Sequence, residues 1–128
     1  DYGRVVNGAS VAGRFPSTDN SNNVPSKAYV IAVSEELNLA ARSDGVFVTA
    51  LCPGFTHTEF HEVAGMMAAK NSSPKWIWYD ASTVVADGIN GCNAGRPVII
   101  SGRLYRWLDP FLRSSIFRGA ILRLVGRR

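Results

Sequence analysis

The most constraining feature of the sequence is a nearly continuous apolar run over residues 46–52, which follows Gly45 and ends at Pro53-Gly54. A strand with apolar side chains at successive positions must be covered on both faces, as in parallel sheets flanked by helices. Shorter β-branched runs at about 3–9 and at 98–102 predict two further strands, the first of them buried. The sequence therefore predicts about three strands in one sheet.

Helical patterns separate these strands. Residues 26–42 carry apolar side chains at helical spacing without an intervening Gly or Pro, after a polar loop that ends at Pro25. Further helices are predicted at 58–70 and at 80–90, the latter with Asp80 or Ser82 as its N-cap. The order strand, helix, strand, helices, strand predicts an α/β fold with a parallel sheet and right-handed crossovers.

Length and composition favour one soluble domain. The chain has 128 residues, of which 46% are hydrophobic, and no apolar run approaches the ~18 residues that a membrane span needs. The first residues lack the pattern of a secretory signal, so we expect a cytoplasmic protein. Two widely separated cysteines, Cys52 and Cys92, predict buried reduced thiols rather than disulfides or a zinc site.

The net charge of +4 is unevenly placed. Residues 103–128 hold seven Arg and only one acidic residue, Asp109, which gives +6, so the other 102 residues sum to −2. A basic tail on an ordinary body does not indicate a nucleic-acid-binding domain. In this tail apolar and basic residues alternate near helical spacing, with a break expected at Pro110. The tail either packs over the substrate cleft or a partner subunit, or lies on an anionic membrane surface, which would make the protein peripheral there.

Three motifs occur in one order along the chain. They are Val6-Asn7-Gly8-Ala9-Ser10-Val11-Ala12-Gly13, then Ser26-Lys27-Ala28-Tyr29, then Leu51-Cys52-Pro53-Gly54-Phe55-Thr56-His57-Thr58-Glu59-Phe60. Together they closely resemble the C-terminal half of the short-chain dehydrogenase/reductase family. The resemblance implies the C-terminal half of a doubly wound, Rossmann-like sheet at 1–102, with strands five to seven of the family, and a basic amphipathic segment at 103–128.

The resemblance also implies an NAD(P)-dependent oxidoreductase that interconverts a small-molecule carbonyl and an alcohol. In the family, a serine binds the substrate oxygen, a tyrosine transfers the proton, and a lysine binds the nicotinamide ribose and lowers the tyrosine pKa. Ser10 and Lys27 match the serine and the lysine at the family's separation of seventeen residues. Positions matching the family's nicotinamide-end turn are Pro53, Gly54, Thr56 and Thr58.

Two departures from the family bear on catalysis. The tyrosine position is occupied by Asn23, whose amide is neither a useful acid nor a useful base near neutral pH. Tyr29 does not replace it, because two residues beyond Lys27 lies about 200° around a helix. The sequence contains no G-x-G-x-x-G motif, which in dinucleotide-binding folds forms the phosphate-binding turn after a strand. Gly88, Gly91 and Gly95 do not replace it, because they come after a predicted helix and not after a strand.

These departures predict a weak or inactive enzyme that oligomerises or pairs with a separate N-terminal half through the open edge of its first strand. One alternative is a non-catalytic binding or membrane-associated pseudoenzyme. Another is a hydrolase, because Gly8-Ala9-Ser10-Val11-Ala12 approaches a nucleophile elbow with His57 or His61 as a base. The two histidines lack the further ligands that a metal site requires, so none is expected.

Overall fold

The computed structural model describes residues 2–14, 22–54, 56–57 and 78–125. Its strands are β1 (Gly3–Gly8), β2 (Val46–Pro53), β3 (Thr56–His57), β4 (Tyr79–Asp80) and β5 (Val98–Ser101). Its α-helices are α1 (Asn23–Ala41), α2 (Ala81–Asn93), α3 (Arg103–Arg113) and α4 (Ser115–Val125), and short 3-10 helices span Val11–Arg14 and Arg42–Asp44. The helix predicted at 58–70 lies outside the described residues.

The main sheet is parallel and has the order β1-β2-β5. Gly3 to Gly8 pair with Val46 to Leu51, and Ala50 to Pro53 pair with Val98 to Ser101. The central strand is the most buried of the three, and its Ala50 and Cys52 have no exposed surface. The predicted α/β class, the three parallel strands and the double coverage of the central strand are confirmed.

The prediction that the first strand is buried was wrong. Val5 and Val6 are 44% and 42% exposed, because β1 lies at the edge of the sheet and pairs with β2 on one side. A β-branched run reports strand propensity, whereas burial depends on the neighbours that the fold supplies. Among the residues that the structure describes, β1 pairs with β2 alone, which agrees with the open edge that the sequence predicted.

Helix α1 begins at Asn23, three residues before the predicted start. Pro25 is accommodated because the first N–H groups of a helix have no partner within the helix, so its missing N–H costs no helical hydrogen bond. The face of α1 that meets the sheet is partly polar. Asn38 Nδ2 donates to the carbonyl of Val48 at 2.8 Å, and Asn7 Nδ2 donates to Ser34 Oγ at 2.9 Å, whereas Leu39 is 69% exposed.

Helix α2 packs directly on the sheet through small residues. Asp80 is its N-cap residue, as predicted, although its side chain makes no capping hydrogen bond. Gly88 and Gly91 are buried, and a Cβ on Gly88 would lie 2.8 Å from Leu51 Cδ2, so these glycines permit close approach to β2 and β5. Their location within a helix agrees with the sequence argument against a phosphate-binding loop. Cys52 and Cys92 are buried free thiols, as predicted.

The break in the C-terminal segment was predicted at Pro110 and lies at Ser114 instead. Pro110 is inside α3, and Ser114 has extended backbone angles that separate α3 from α4. A proline near the end of a helix removes one hydrogen bond and still permits the last residues to remain helical. Within the described residues, no helix is both long and apolar enough to cross a bilayer.

Candidate active site

The carboxyl ends of β1 and β2 place Ser10 and Pro53-Gly54 at one edge of the sheet. The Ala9 N–H donates to the Leu51 carbonyl at 2.8 Å, which carries the strand pairing up to the residue before Ser10. Ser10 is half-buried and sits in a tight turn, in which its Oγ accepts the Ala12 N–H at 3.1 Å and its carbonyl accepts the Gly13 N–H at 3.0 Å. The turn fixes the hydroxyl while leaving it able to donate a hydrogen bond.

Lys27 is brought to the same edge by the 3-10 helix that follows Ser10. Gly13 in this 3-10 helix approaches the first turns of α1 so closely that a Cβ there would lie 2.8 Å from the Lys27 carbonyl carbon and 2.9 Å from Lys27 Cβ. Only glycine permits this contact. The half-buried Lys27 is therefore held against the segment that carries Ser10.

Asn23 lies one helical turn before Lys27, on the same side of α1. Residues four apart on a helix are neighbours, so the Asn23 and Lys27 side chains share a face. Asn23 is exposed, and its carbonyl accepts the Ser26 hydroxyl at 2.9 Å. Tyr29 is 69% exposed and lies around the helix from Lys27, which supports the argument that it cannot take the place of a residue at position 23.

The Pro53-Gly54 turn at the end of β2 contacts α3. A Cβ on Gly54 would overlap the Tyr105 ring, with Cζ of that ring 2.8 Å away. Tyr105 also approaches Tyr79, with ring centroids 6.5 Å apart. Thr56 pairs with Tyr79 in the two-residue ladder of β3 and β4, and the predicted site residue Thr58 lies outside the described residues.

An ion pair holds α3 against this edge. Arg14 Nε and Nη2 donate to the two carboxylate oxygens of Asp109 at 2.7 and 2.5 Å, and the side chains are 7% and 15% exposed. Burial alone would lower the pKa of Arg14, but the hydrogen bonds and charge of Asp109 outweigh it and raise that pKa. The first helix of the basic segment thus packs on this edge of the sheet.

Cys52 lies in the core with Ala9, Ile31 and Ala50. Burial raises the pKa of its thiol to about 11, against an opposing effect of the positive charge on Arg14. A thiol with this pKa is protonated and unreactive near neutral pH. Cys52 therefore belongs to the core that supports the site.

Two residues at this edge, Arg14 and Tyr105, were not predicted from the sequence, and neither was the role of Asp109. The sequence did contain a signal that Asp109 forms a specific contact, because it is the single acidic residue in a segment with seven arginines. Nothing local in the sequence pairs it with Arg14, which is 95 residues away. Among the residues that the structure describes, no three His, Cys, Asp or Glu side chains form a group that could hold a metal ion.

Comparisons with solved structures find the same fold. A short-chain dehydrogenase from Sphingobium yanoikuyae in complex with NADPH is 26% identical, with a TM-score of 0.65 over 96% of this chain and 44% of that chain. An alcohol dehydrogenase from Comamonas testosteroni specific for bulky-bulky ketones is 23% identical, with a TM-score of 0.57 over 96% of this chain and 42% of that chain. The chain thus spans less than half the length of these relatives.

A third structure, 4-hydroxyisoleucine dehydrogenase complexed with NADH and succinate, is 21% identical, with a TM-score of 0.56 over 74% of this chain and 42% of that chain. No curated protein matches the chain. The sequence profile described as short chain dehydrogenase matches residues 1–69, which is more than half of the chain and includes Ser10, Asn23, Lys27 and Pro53-Gly54. The chain therefore belongs to the short-chain dehydrogenase family.

Proposed function

We propose that the chain carries the nicotinamide-binding and substrate-binding part of an NAD(P)-dependent oxidoreductase that interconverts a carbonyl and an alcohol. The observation that supports this proposal is that Ser10 and Pro53-Gly54 follow the carboxyl ends of the paired strands β1 and β2, while Gly13, close behind Ser10, packs on the Lys27 backbone. Ligands of open α/β sheets bind at this edge. The substrate would be a small carbonyl compound or the corresponding alcohol.

Each residue has a distinct task in this proposal. The Ser10 hydroxyl, fixed by its turn, donates a hydrogen bond to the substrate oxygen, which stabilises negative charge as it develops there. The Lys27 ammonium binds the nicotinamide ribose and favours the deprotonated form of a neighbouring acid. Lys27 is suited to both tasks because it is half-buried beside the segment that carries Ser10.

Proton transfer is the step for which position 23 supplies no acid or base. Asn23 shares a helix face with Lys27, where the family places its tyrosine, and its side-chain amide cannot exchange a proton near neutral pH. This residue supports the proposal that the chain has low activity. It also favours a second candidate function, a pseudoenzyme that binds ligands at the same edge without turning them over.

The residues present fit the nicotinamide end of NAD or NADP and no more of it. The dinucleotide would supply the hydride, and Ser10, Lys27 and the Pro53-Gly54 turn, with Thr56 and Thr58 by resemblance, would hold that end. The chain has no G-x-G-x-x-G turn to receive the pyrophosphate. The Tyr105 ring covers the Cα of Gly54, so ligand binding at this turn would require the Tyr105 ring to move.

The position of β1 at the edge of the sheet supports a further part of the proposal, that the chain associates with another chain. Val5 and Val6 on this edge strand favour a homo-oligomer or pairing with a separately supplied N-terminal half. We also propose a cytoplasmic location and a division into a partial Rossmann-like unit at 1–102 and a basic segment at 103–128. Sedimentation velocity tests the association: a stable monomer at all concentrations would contradict it.

Binding is tested by titrating NADH, NADPH and reduced nicotinamide mononucleotide into the folded chain and following nicotinamide fluorescence. Because only the nicotinamide end is held, we expect the mononucleotide and the dinucleotides to bind with similar affinity. Lys27→Met should weaken binding about tenfold through loss of one charge-assisted contact. The matched control Arg42→Gln removes a charge at the far end of α1 and should have no effect. No saturable binding, or equal binding by Lys27→Met, would contradict the proposal.

Catalysis is tested by restoring the proton-transfer group with Asn23→Tyr. Asn22→Tyr is the matched control, because it adds the same ring about 100° around the helix from position 23. We expect carbonyl reduction by NADH to increase in the first variant and not in the second. Ligand binding without turnover in Asn23→Tyr would favour the pseudoenzyme.

A further inference from the structure

The C-terminal helices present their apolar side chains outward. At about 100° per residue, Leu104, Trp107, Leu108 and Phe111 fall in one sector of α3, and Tyr105 and Asp109 fall on the opposite side. Tyr105 and Asp109 make the contacts with Gly54 and Arg14 described above. Helix α3 thus binds the sheet edge with its polar and tyrosine face, and Trp107, Leu108 and Phe111 are 77%, 41% and 51% exposed.

Helix α4 continues the same surface. Ile116, Phe117, Ala120 and Leu124 fall within one sector of about 100°, and the three large ones are 82%, 49% and 73% exposed. The Phe111 and Phe117 rings touch edge to face, with centroids 5.9 Å apart, and so join the sectors of α3 and α4. We call this joined face of residues 104–124 the outer apolar surface. An apolar face that the fold leaves uncovered is expected to have a partner.

Apart from Asp109, every charged residue of α3 and α4 is an arginine. Arg103, Arg113, Arg118 and Arg123 are exposed. At about 100° per residue, Arg103 borders the apolar sector of α3 beside Trp107 and Arg123 borders that of α4 beside Ile116, whereas Arg113 and Arg118 lie on the far sides of their helices. The only acidic residue of the segment, Asp109, is neutralised by Arg14 on the opposite side of α3. An apolar sector bordered by arginines is the pattern of a helix that lies in the headgroup region of an anionic membrane.

We propose that α3 and α4 bind the surface of an anionic lipid membrane, with the outer apolar surface in the headgroup region and the bordering arginines on lipid phosphates and carboxylates. This interaction does not depend on the proposed oxidoreductase function. A second copy of the chain would also cover the apolar side chains, but it would bring arginines against arginines. The charge pattern therefore favours a lipid surface over self-association.

The full chain can be tested by co-sedimentation with vesicles of phosphatidylcholine alone and of equimolar phosphatidylcholine and phosphatidylserine. We expect binding to the mixed vesicles that falls as salt is raised, and little binding to phosphatidylcholine. The double variant Arg103→Gln with Arg123→Gln should reduce partitioning about twenty-five-fold, because each basic residue near such a surface contributes about a fivefold increase. The matched control, Arg42→Gln with Arg96→Gln, removes the same charge elsewhere and should leave partitioning within about twofold.

A separate variant tests the apolar contribution. Ile116→Ser with Leu124→Ser keeps every charge and should also reduce binding strongly. Circular dichroism verifies that each variant is folded, and the salt dependence of the unmodified chain provides a test that needs no variant. Absence of binding to mixed vesicles, equal binding to both vesicle types, or a dimer that Ile116→Ser dissociates while vesicles leave the chain in solution would each overturn the proposal.

Discussion

Replacing Asp109 by Asn tests how α3 is held on the sheet edge. The change keeps the size of the side chain but leaves the Arg14 guanidinium without its carboxylate in a site where it is 7% exposed. Breaking a fully buried ion pair from one side costs about 3–5 kcal/mol, whereas an exposed pair contributes about 0–1 kcal/mol. Since Asp109 retains 15% exposure, we expect a loss of about 2–3 kcal/mol in the free energy of unfolding.

Urea denaturation followed by circular dichroism measures this loss. Asp44→Asn, at an exposed acidic residue of the second 3-10 helix, is the control and should change stability by less than about 0.5 kcal/mol. In a double-mutant cycle with Arg14→Gln, the two losses should be strongly non-additive because the residues contact only as a pair. Additive losses, or a loss in Asp109→Asn no larger than in the control, would refute the argument that this ion pair fastens α3.

Three further changes test the core around the site. Because burial raises the pKa of Cys52 from 9.0 to about 11, the unfolded chain ionises first, so stability present below pH 9 should fall by about 2–3 kcal/mol as pH rises towards 11. Urea titrations of the unmodified chain and Cys52→Ala should show this fall in the first alone, and parallel curves would contradict it. Gly54→Ala should lower the free energy of unfolding by about 2 kcal/mol, because the new methyl group displaces the Tyr105 ring. The loss should be smaller when Tyr105→Ala is also present. Equal losses with and without Tyr105→Ala would show that the ring is not the obstacle. Asn38→Ala should lower the free energy of unfolding by about 2 kcal/mol, because the buried Val48 carbonyl loses its hydrogen-bond donor. Asn90→Ala, at an exposed position, is the control and should change stability little when both variants are measured by thermal unfolding.

Local sequence signals predicted the parts of the fold that depend on neighbouring residues. The apolar run that ends at Pro53-Gly54 gave the central strand, because double burial requires apolar residues at successive positions. The turn after Ser10 and the helix that carries Lys27 are likewise set by nearby residues. The candidate site was therefore accessible to sequence reasoning, with the help of a family resemblance, as far as its individual positions.

The remaining features depend on residues that meet only in the folded chain. The exposure of Val5 and Val6 follows from the position of β1 at the sheet edge, which its own sequence does not encode. Buried Asn38 resembles a surface residue in sequence, and its partner is a strand carbonyl. The pairing of Arg14 with Asp109 joins opposite ends of the chain, and only that contact reveals which side of α3 faces outward.

The most direct test of the central claim is to map the ligand site by backbone amide chemical shifts during titration with reduced nicotinamide mononucleotide. We expect the saturable shifts to cluster at the carboxyl edge, in the turn at Ser10, at Lys27 near the start of α1, and at Gly54. The opposite edge, at Gly45 and Arg96, should remain unchanged. Shifts confined to that opposite edge, or none at all in a folded chain, would contradict the account.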